Sequence, residues 1–143
     1  MTEVTFHFNA PDKLGYACRL LRKAAGVGAR VAVTAEPDLL QRLDTALWTF
    51  SALDFVPHAT DRQGSALLAA SPVVLLGSAL DAPHQDVLLN LGESVPEGFE
   101  RFGRLIEVVS LDEADRQRAR VRWKHYAARG YAIERKDLVL KDS

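Results

Sequence analysis

Short apolar runs recur along this chain, and they limit its possible folds more than any other feature. Residues 72–76 (PVVLL), 87–91 (VLLNL) and 105–109 (LIEVV) have the length and composition of buried strands. Residues 30–34 (RVAVT) are also apolar and β-branched, and residues 5–8 alternate as a first strand. Strands that are apolar on both faces need helices on both sides of their sheet, so these runs predict a mostly parallel sheet.

Helical patterns separate the first strands. After Pro11 and Asp12, apolar side chains recur at helical spacing up to Gly26, namely Leu14, Ala17, Cys18, Leu21 and Ala25. A second stripe follows the helix-starting sequence EPD at residues 36–38 and contains Leu40, Leu43 and Leu47. Because a helix connects successive strands, we expect parallel pairing and right-handed crossovers.

The remaining segments complete an α/β pattern. Residues 49–71 show no regular period and predict a loop that carries surface features. A helical turn is expected at residues 96–102, and a long helix at residues 111–129, which begins after Ser110 and stops at Gly130. An edge strand at residues 131–133 and a frayed tail at residues 136–143 follow. This order predicts a three-layer α/β/α sandwich in a single domain over residues 1–143.

The sequence lacks the motifs of the common enzyme classes. No GxxxxGK[ST] occurs, and the first strand runs into FNAPDKLG rather than into a glycine-rich phosphate-binding turn. The four histidines show no metal-ligand spacing, the single cysteine, Cys18, belongs to a core stripe, and no serine lies in GxSxG. His84 and Asp86 are acid/base candidates by position, but we interpret them as part of a solvated turn. We therefore expect no catalytic residue, no metal and no cofactor.

The same inspection predicts the compartment. No apolar run approaches the roughly 20 residues that cross a bilayer, and the N-terminal MTEVTFHF has no signal-like apolar region. We expect a cytoplasmic protein with no membrane partner.

Charge is distributed very unevenly along the chain. Residues 1–115 contain nine Lys/Arg and sixteen Asp/Glu, a net charge of −7, whereas residues 116–136 contain eight Lys/Arg and one acid, a net charge of +7. The overall charge of −1 therefore conceals a dipolar molecule with one strongly basic segment.

That basic segment predicts a binding face on the long helix. One face carries residues at spacings of three and four, namely Arg116, Arg120, Trp123, Lys124 and Ala127. An indole among cations suits an acidic partner with an aromatic group. Two other interpretations stay open: a solvated charged helix face, and a core position for Trp123 with the cations merely around it.

A second feature is Trp48, which ends the ALW sequence, followed by FVPH. These aromatic residues are either plugs beneath the sheet edge or an exposed apolar patch, and large exposed patches mark partner surfaces. The residues alone favour neither interpretation.

Four motifs together resemble the chi subunit family of the bacterial DNA polymerase III holoenzyme: TFHF, LDTALWTF, FVPH and RARVRWKHYAARGY, in this order. The resemblance spans nearly the whole chain. It implies a Rossmann-like fold and a non-enzymatic accessory protein of the clamp-loader complex in DNA replication. It also implies a heterodimer with the psi subunit, and binding to the acidic, aromatic C-terminal tail of single-stranded DNA-binding protein, which links the clamp loader to coated template.

The resemblance also implies site residues. For the tail these are Arg120 and Lys124, with Trp123 at an aromatic position, Arg116 at a basic position and Val109 on the pocket wall. For psi they are Trp48, Phe55, Val56, Pro57 and His58, which favours the exposed patch. Ala127 departs from family members that carry a basic residue there, so tail affinity is lower or Arg129 compensates. The alternative functions are a small nucleotide-using α/β enzyme and a direct nucleic-acid-binding domain.

Overall fold

The computed structural model describes residues 2–49, 57–60 and 65–138. Within these segments, seven strands form one sheet: β1 (Glu3–Ala10), β2 (Val31–Thr34), β3 (His58–Thr60), β4 (Val73–Leu76), β5 (Val87–Asn90), β6 (Arg104–Ser110) and β7 (Ile133–Asp137). The strand order is β3-β4-β2-β5-β6-β1-β7, and each of these pairs is parallel. The helices are α1 (Lys13–Gly26), α2 (Pro37–Thr49), α3 (Ser65–Ala70) and α4 (Glu113–Ala128), with short 3-10 turns at Ala79–Asp81 and Phe99–Arg101.

Helices cover both faces of the sheet, which confirms the predicted three-layer sandwich. On one face α1 and α2 pack against β2, β4 and β5 through a core that includes Ala17, Leu21, Leu43, Leu47, Val33, Leu75 and Leu89. On the other face α4 and the turn Phe99–Arg101 pack against the sheet through Ala119, Tyr126, Phe99, Phe6, Leu88 and Leu105. Cys18 lies in the first of these cores, as its helical stripe predicts.

Two strands lie where sequence periodicity did not predict them. The expected loop at residues 49–71 contains β3 and α3, and β3 is a strand only because its three residues pair with β4. The predicted edge strand at residues 131–133 begins instead at Ile133 and continues through Asp137. Lys136 pairs with His7 and Asp137 with Phe8, so the first residues of the expected frayed tail complete the open edge of β1. Residues 139–143 lie outside the described part of the chain.

Successive side chains of β1 point to opposite faces of the sheet, and one set of them packs beneath α4. Val4, Phe6 and Phe8 face α4, whereas His7 faces α1, where its ring nitrogen Nδ1 lies 2.6 Å from the hydroxyl of Tyr16. Helix α4 packs against β6 and β7, on either side of β1. Phe8 therefore lies at the bottom of a groove between α4 and β7.

No helix in the described segments is long and apolar enough to cross a membrane.

Candidate functional site

A surface pocket of about 280 Å³ opens between α4 and β7. Its lining consists of aromatic residues and cations: Phe8, Arg116, Arg120, Trp123, Lys124 and Arg135. Four of the five α4 residues that helical spacing places on one face therefore lie together in one pocket, and Ala127 is not part of its lining. Phe8 from β1 and Arg135 from β7 were not predicted, because only the pairing of these two strands brings them next to α4.

Trp123 forms the apolar part of this pocket. Its ring centroid lies 5.0 Å from that of Phe6 and 6.1 Å from that of Phe8, and the side chain is only partly buried. One side of the indole thus packs on the core, while the other lines the pocket. Trp123 is therefore neither a fully buried core residue nor a residue of a solvated charged face, which were the two other interpretations of this helix.

Positive charge dominates the electrostatics of the pocket. The Arg120 guanidinium pairs with Glu113 at 3.6 Å, and both side chains are mostly exposed. Arg116 and Lys124 form no ion pair with any residue in the described segments. The Arg135 guanidinium carbon lies 4.3 Å from the centre of the Phe8 ring, and its Nε donates to Asp137 at 3.1 Å. Four cations therefore surround an aromatic floor.

Two residues implied by the resemblance lie outside the pocket. Val109 is completely buried in the core between the sheet and α4, and it is not among the residues that line the pocket. Arg129 lies beyond the end of α4, where its Nη1 is 3.2 Å from His125 Nδ1. The pocket lining contains Arg135 and neither Ala127 nor Arg129, so the additional cation in the pocket is Arg135.

The opposite face of α4 carries a buried polar network that sequence analysis missed. Arg122 Nε donates to Glu107 Oε1 at 3.1 Å, and the Tyr126 hydroxyl donates to Glu107 Oε2 at 2.6 Å. Asn90 Nδ2 donates to the same carboxylate at 3.0 Å, and Arg122 Nη1 donates to the carbonyl of Glu93 at 2.9 Å. These contacts join α4 to β5, β6 and the loop after β5. The lone acid in the apolar run LIEVV was the available signal.

Burial dominates the ionisation of this network. It raises the pKa of Glu107, whereas Arg122, Tyr126 and Asn90 act in the opposite direction. Burial and the neighbouring Glu107 carboxylate raise the pKa of Tyr126, so its hydroxyl stays protonated and donates. The rotation of α4 about its axis is thereby fixed, because Arg122 and Tyr126 face inward while Arg120 and Lys124 face outward.

The start of α4 is held by a second set of polar contacts. Asp112 caps the helix by accepting from the backbone N–H of Asp115 at 3.1 Å. The Asp115 carboxylate accepts from the backbone N–H of Ser110 at 2.8 Å and pairs with Lys13 of α1 at 3.0 Å. Although burial opposes ionisation, these hydrogen bonds and the Lys13 charge lower the pKa of Asp115.

The predicted psi-facing residues fall into three groups. Trp48 is 58% exposed at the end of α2, and Pro57 is exposed as well. The His58 side chain is buried, its Nε2 lies 2.8 Å from Asp44 Oδ1 and its ring packs against Trp48, and its assignment to psi stays a prediction. Phe55 and Val56 lie outside the described residues.

The edge of the sheet at which such domains usually bind nucleotides lacks, among the described residues, the cationic side chains that bind phosphate. A pocket of about 410 Å³ lies at the carboxyl ends of β2, β4 and β5, where α/β domains bind their ligands. Its described lining contains Glu36 and Glu97 and no lysine or arginine. Acidic side chains repel a phosphate, so this edge does not favour the nucleotide-using alternative.

The acid/base and metal candidates also lack a site in the described segments. His84 is buried, which corrects the interpretation of a fully solvated turn, while Asp86 is exposed and lies 4.0 Å from Arg30. Neither His84 ring nitrogen forms a hydrogen bond with Asp86, so His84 and Asp86 form no dyad. No group of three His, Cys, Asp or Glu in this part of the chain is arranged to hold a metal ion.

The parallel sheet with helices on both faces places the chain in the class of Rossmann-like α/β domains. Residues 1–134 match the family described as DNA polymerase III chi subunit, HolC. The chain therefore belongs to the DNA polymerase III chi subunit family, a family of DNA replication proteins.

Individual relatives support this membership. The chain is 32% identical to the DNA polymerase III subunit chi of Pseudomonas aeruginosa over 139 residues, which cover 94% of this chain and 95% of the relative. It is 28% identical to the subunit of the same name from Haemophilus influenzae over 120 residues, covering 82% and 81% of the two chains. The Escherichia coli subunit is 28% identical over 118 residues, covering 81% and 79%.

Proposed function

We propose that this protein is a non-catalytic accessory subunit of the clamp-loader complex in the bacterial cytoplasm, and that it binds the acidic C-terminal tail of single-stranded DNA-binding protein. The pocket between α4 and β7 carries this proposal. It offers four cations around Trp123 and Phe8 within a volume of about 280 Å³.

The chemistry of the pocket matches a peptide that is acidic and ends in an aromatic residue. Cations that are not already paired, such as Arg116 and Lys124 within the described segments, are available to carboxylates. The exposed side of Trp123 offers an apolar surface to an aromatic side chain, and aromatic pairs of this kind add about 0.5–1.5 kcal/mol beyond their buried area. Charge and apolar contact therefore favour the same ligand.

The second part of the proposal concerns the psi subunit. Trp48 exposes a large indole at the end of α2, on the edge of the molecule that carries β3. Exposed aromatic residues are enriched at the energetic centres of interfaces. We assign this surface to psi, which would connect the protein to the clamp loader.

Direct nucleic-acid binding is the second candidate function, because cations and aromatic rings also suit single-stranded DNA. The two functions differ in how far the cationic surface of the protein must extend. A tail peptide needs one compact pocket, whereas a DNA strand needs a cationic groove several nucleotides long. Outside the pocket, residues 1–115 are net acidic, which favours the peptide.

Pull-down assays with purified proteins separate these functions. The protein is expected to retain intact single-stranded DNA-binding protein and to lose it when the C-terminal tail is deleted. In a parallel assay a labelled single-stranded oligonucleotide is offered alone. Retention of the tail-deleted protein at the intact level would contradict the proposed function, and tight binding of the oligonucleotide alone would favour the nucleic-acid alternative.

A further inference from the structure

We infer that Arg135 on β7 recognises the terminal carboxylate of the bound peptide, opposite the cations of α4. This inference rests on the proposed function and specifies how its pocket reads the end of a chain. It assigns a specific role to a residue that the helix periodicity does not include.

The Arg135 side chain is held in place by its neighbours. Its guanidinium carbon lies 4.3 Å from the centre of the Phe8 ring, and its Nε donates to both Asp137 oxygens, at 3.1 and 3.2 Å. The other pocket arginines have fewer contacts: Arg120 has one ion pair at 3.6 Å, and Arg116 has none in the described segments. A held side chain loses less conformational entropy when it binds a ligand.

Arg135 still has hydrogen-bond donors available for a ligand. Because Nε is occupied by Asp137, the two terminal nitrogens of Arg135 are the donors left for a ligand, and neither hydrogen bonds to any described residue. Paired guanidinium nitrogens match the two oxygens of a carboxylate. Arg135 is therefore prepared for one bidentate contact.

The spacing of the cations on α4 fits a short extended peptide. On α4, Arg116 and Lys124 are eight residues apart, which corresponds to about 12 Å at 1.5 Å per residue. That length matches roughly four extended peptide residues. The Arg135 guanidinium stacks on Phe8, whose ring lies 6.1 Å from that of Trp123, so a terminal aromatic ring on Trp123 places its own carboxylate within reach of Arg135. The upstream acids then follow the helix toward Arg116.

The inference is tested by pairing variants with two forms of one peptide. The probe is a synthetic acidic peptide that ends in phenylalanine, prepared with a free terminal carboxylate and with a terminal amide. Titration by calorimetry or fluorescence anisotropy gives four dissociation constants for wild type and Arg135→Ala. Loss of a bidentate, charge-assisted contact is expected to weaken binding of the free-acid peptide by about tenfold to a hundredfold.

The amidated peptide provides the diagnostic comparison. If Arg135 binds the terminal carboxylate, wild type and Arg135→Ala bind the amide with the same affinity. The affinity of Arg135→Lys for the free acid then lies between the affinities of wild type and Arg135→Ala. Arg129→Ala is the matched control, because it removes an exposed arginine outside the pocket, and it should leave both affinities unchanged. Thermal melts verify that each variant is folded.

Two outcomes overturn the inference while the proposed function stands. In the first, Arg135→Ala weakens the free acid and the amide equally, which shows that Arg135 supplies only general charge. In the second, Lys124→Ala and Arg120→Ala weaken binding but Arg135→Ala does not. Failure of wild type to bind either peptide overturns the proposed function itself.

Discussion

The carboxylate of Glu107 and the guanidinium of Arg122 form an ion pair inside the core, with Oε1 and Nε 3.1 Å apart and both side chains at most 1% exposed. The pair joins β6 to the inner face of α4. Tyr126, one turn further along α4, donates to the same carboxylate at 2.6 Å. Because the inner face of α4 is tied to one carboxylate, its outer face must present Arg120, Trp123 and Lys124 to the pocket. The buried network therefore positions the candidate site without touching a ligand.

Arg122→Met is expected to destabilise the protein by about 3–5 kcal/mol, because it leaves the Glu107 carboxylate buried without its counter-ion. Urea unfolding followed by circular dichroism measures the change. Arg120→Met, on the exposed face of the same helix, is the matched control and should change stability by about 1 kcal/mol or less. Equal effects of the two substitutions would show that the buried pair has no special role in the fold.

The contribution of His7 to stability should decrease as the pH is lowered from about 6.5 to about 4, whereas the raised pKa of Glu107 acts in the opposite direction. Burial, together with the charges of Lys136 and Arg104, lowers the pKa of His7 from 6.5 to about 4. Between these values the unfolded chain binds a proton that the folded protein does not, so folding loses at most about 1.4 kcal/mol per pH unit from this group. Burial also lowers the pKa of His84, which contributes in the same direction.

The variant His7→Leu isolates this contribution. Free energies of unfolding at several pH values should show a shallower slope for the variant than for wild type, whatever its absolute stability. Asp115, whose pKa is lowered from 3.8, contributes only at more acidic pH and does not confuse the comparison. A native His7 resonance that titrates near pH 6.5 by nuclear magnetic resonance would contradict the assignment.

Trp48→Ala is expected to abolish binding to psi while the domain stays folded. The indole is 58% exposed, so its loss should cost about 1 kcal/mol or less in stability, whereas residues at interface centres contribute 2 kcal/mol or more to binding as a rough threshold. Size-exclusion chromatography with purified psi and a thermal melt test both halves. Val121→Ala removes an exposed apolar side chain from α4 and should affect neither. Unfolding of Trp48→Ala would make this residue part of the core.

The sequence predicted the centre of this sheet better than its edges. The apolar runs became β2, β4, β5 and β6 with boundaries shifted by one residue at most points, because their burial is recorded in their own composition. The edge strands β3 and β7 contain His58, Lys136 and Asp137, and their identity comes from pairing with a neighbour. Charged residues are common on edge strands, where they discourage aggregation, and they hide β7 from a reading of the sequence, whereas β3 is only three residues long.

In the candidate site, too, the sequence predicted the residues that share one helix and missed the contacts between residues far apart in the chain. Helical spacing alone placed Arg116, Arg120, Trp123 and Lys124 on one face. The contact of Arg135 with Phe8 joins opposite ends of the chain, and no local pattern reports it. Likewise, the spacing of charges on α4 does not reveal that Arg122 points inward, since its partner Glu107 lies on another element.

Lys124→Ala and Arg120→Ala should each weaken binding of the tail of single-stranded DNA-binding protein by about tenfold to a hundredfold, because charge-assisted contacts to a carboxylate contribute about 1.5–3 kcal/mol. Both residues line the pocket. Arg118 is the matched control on the same helix: it lies outside the pocket and pairs with Glu93 at 3.5 Å near the surface. Arg118→Ala should therefore change tail affinity little.

Titrating a synthetic tail peptide against these variants at two salt concentrations tests the electrostatic basis of this prediction. Wild-type affinity should fall as salt rises, because exposed charges are screened over about 8 Å at physiological ionic strength. The salt dependence should be smaller for Lys124→Ala than for wild type, since one fewer cation takes part, and unchanged for Arg118→Ala. Affinities of Lys124→Ala and Arg120→Ala that equal wild type at both salt concentrations would remove the tail-binding function from this helix and leave a solvated charged face.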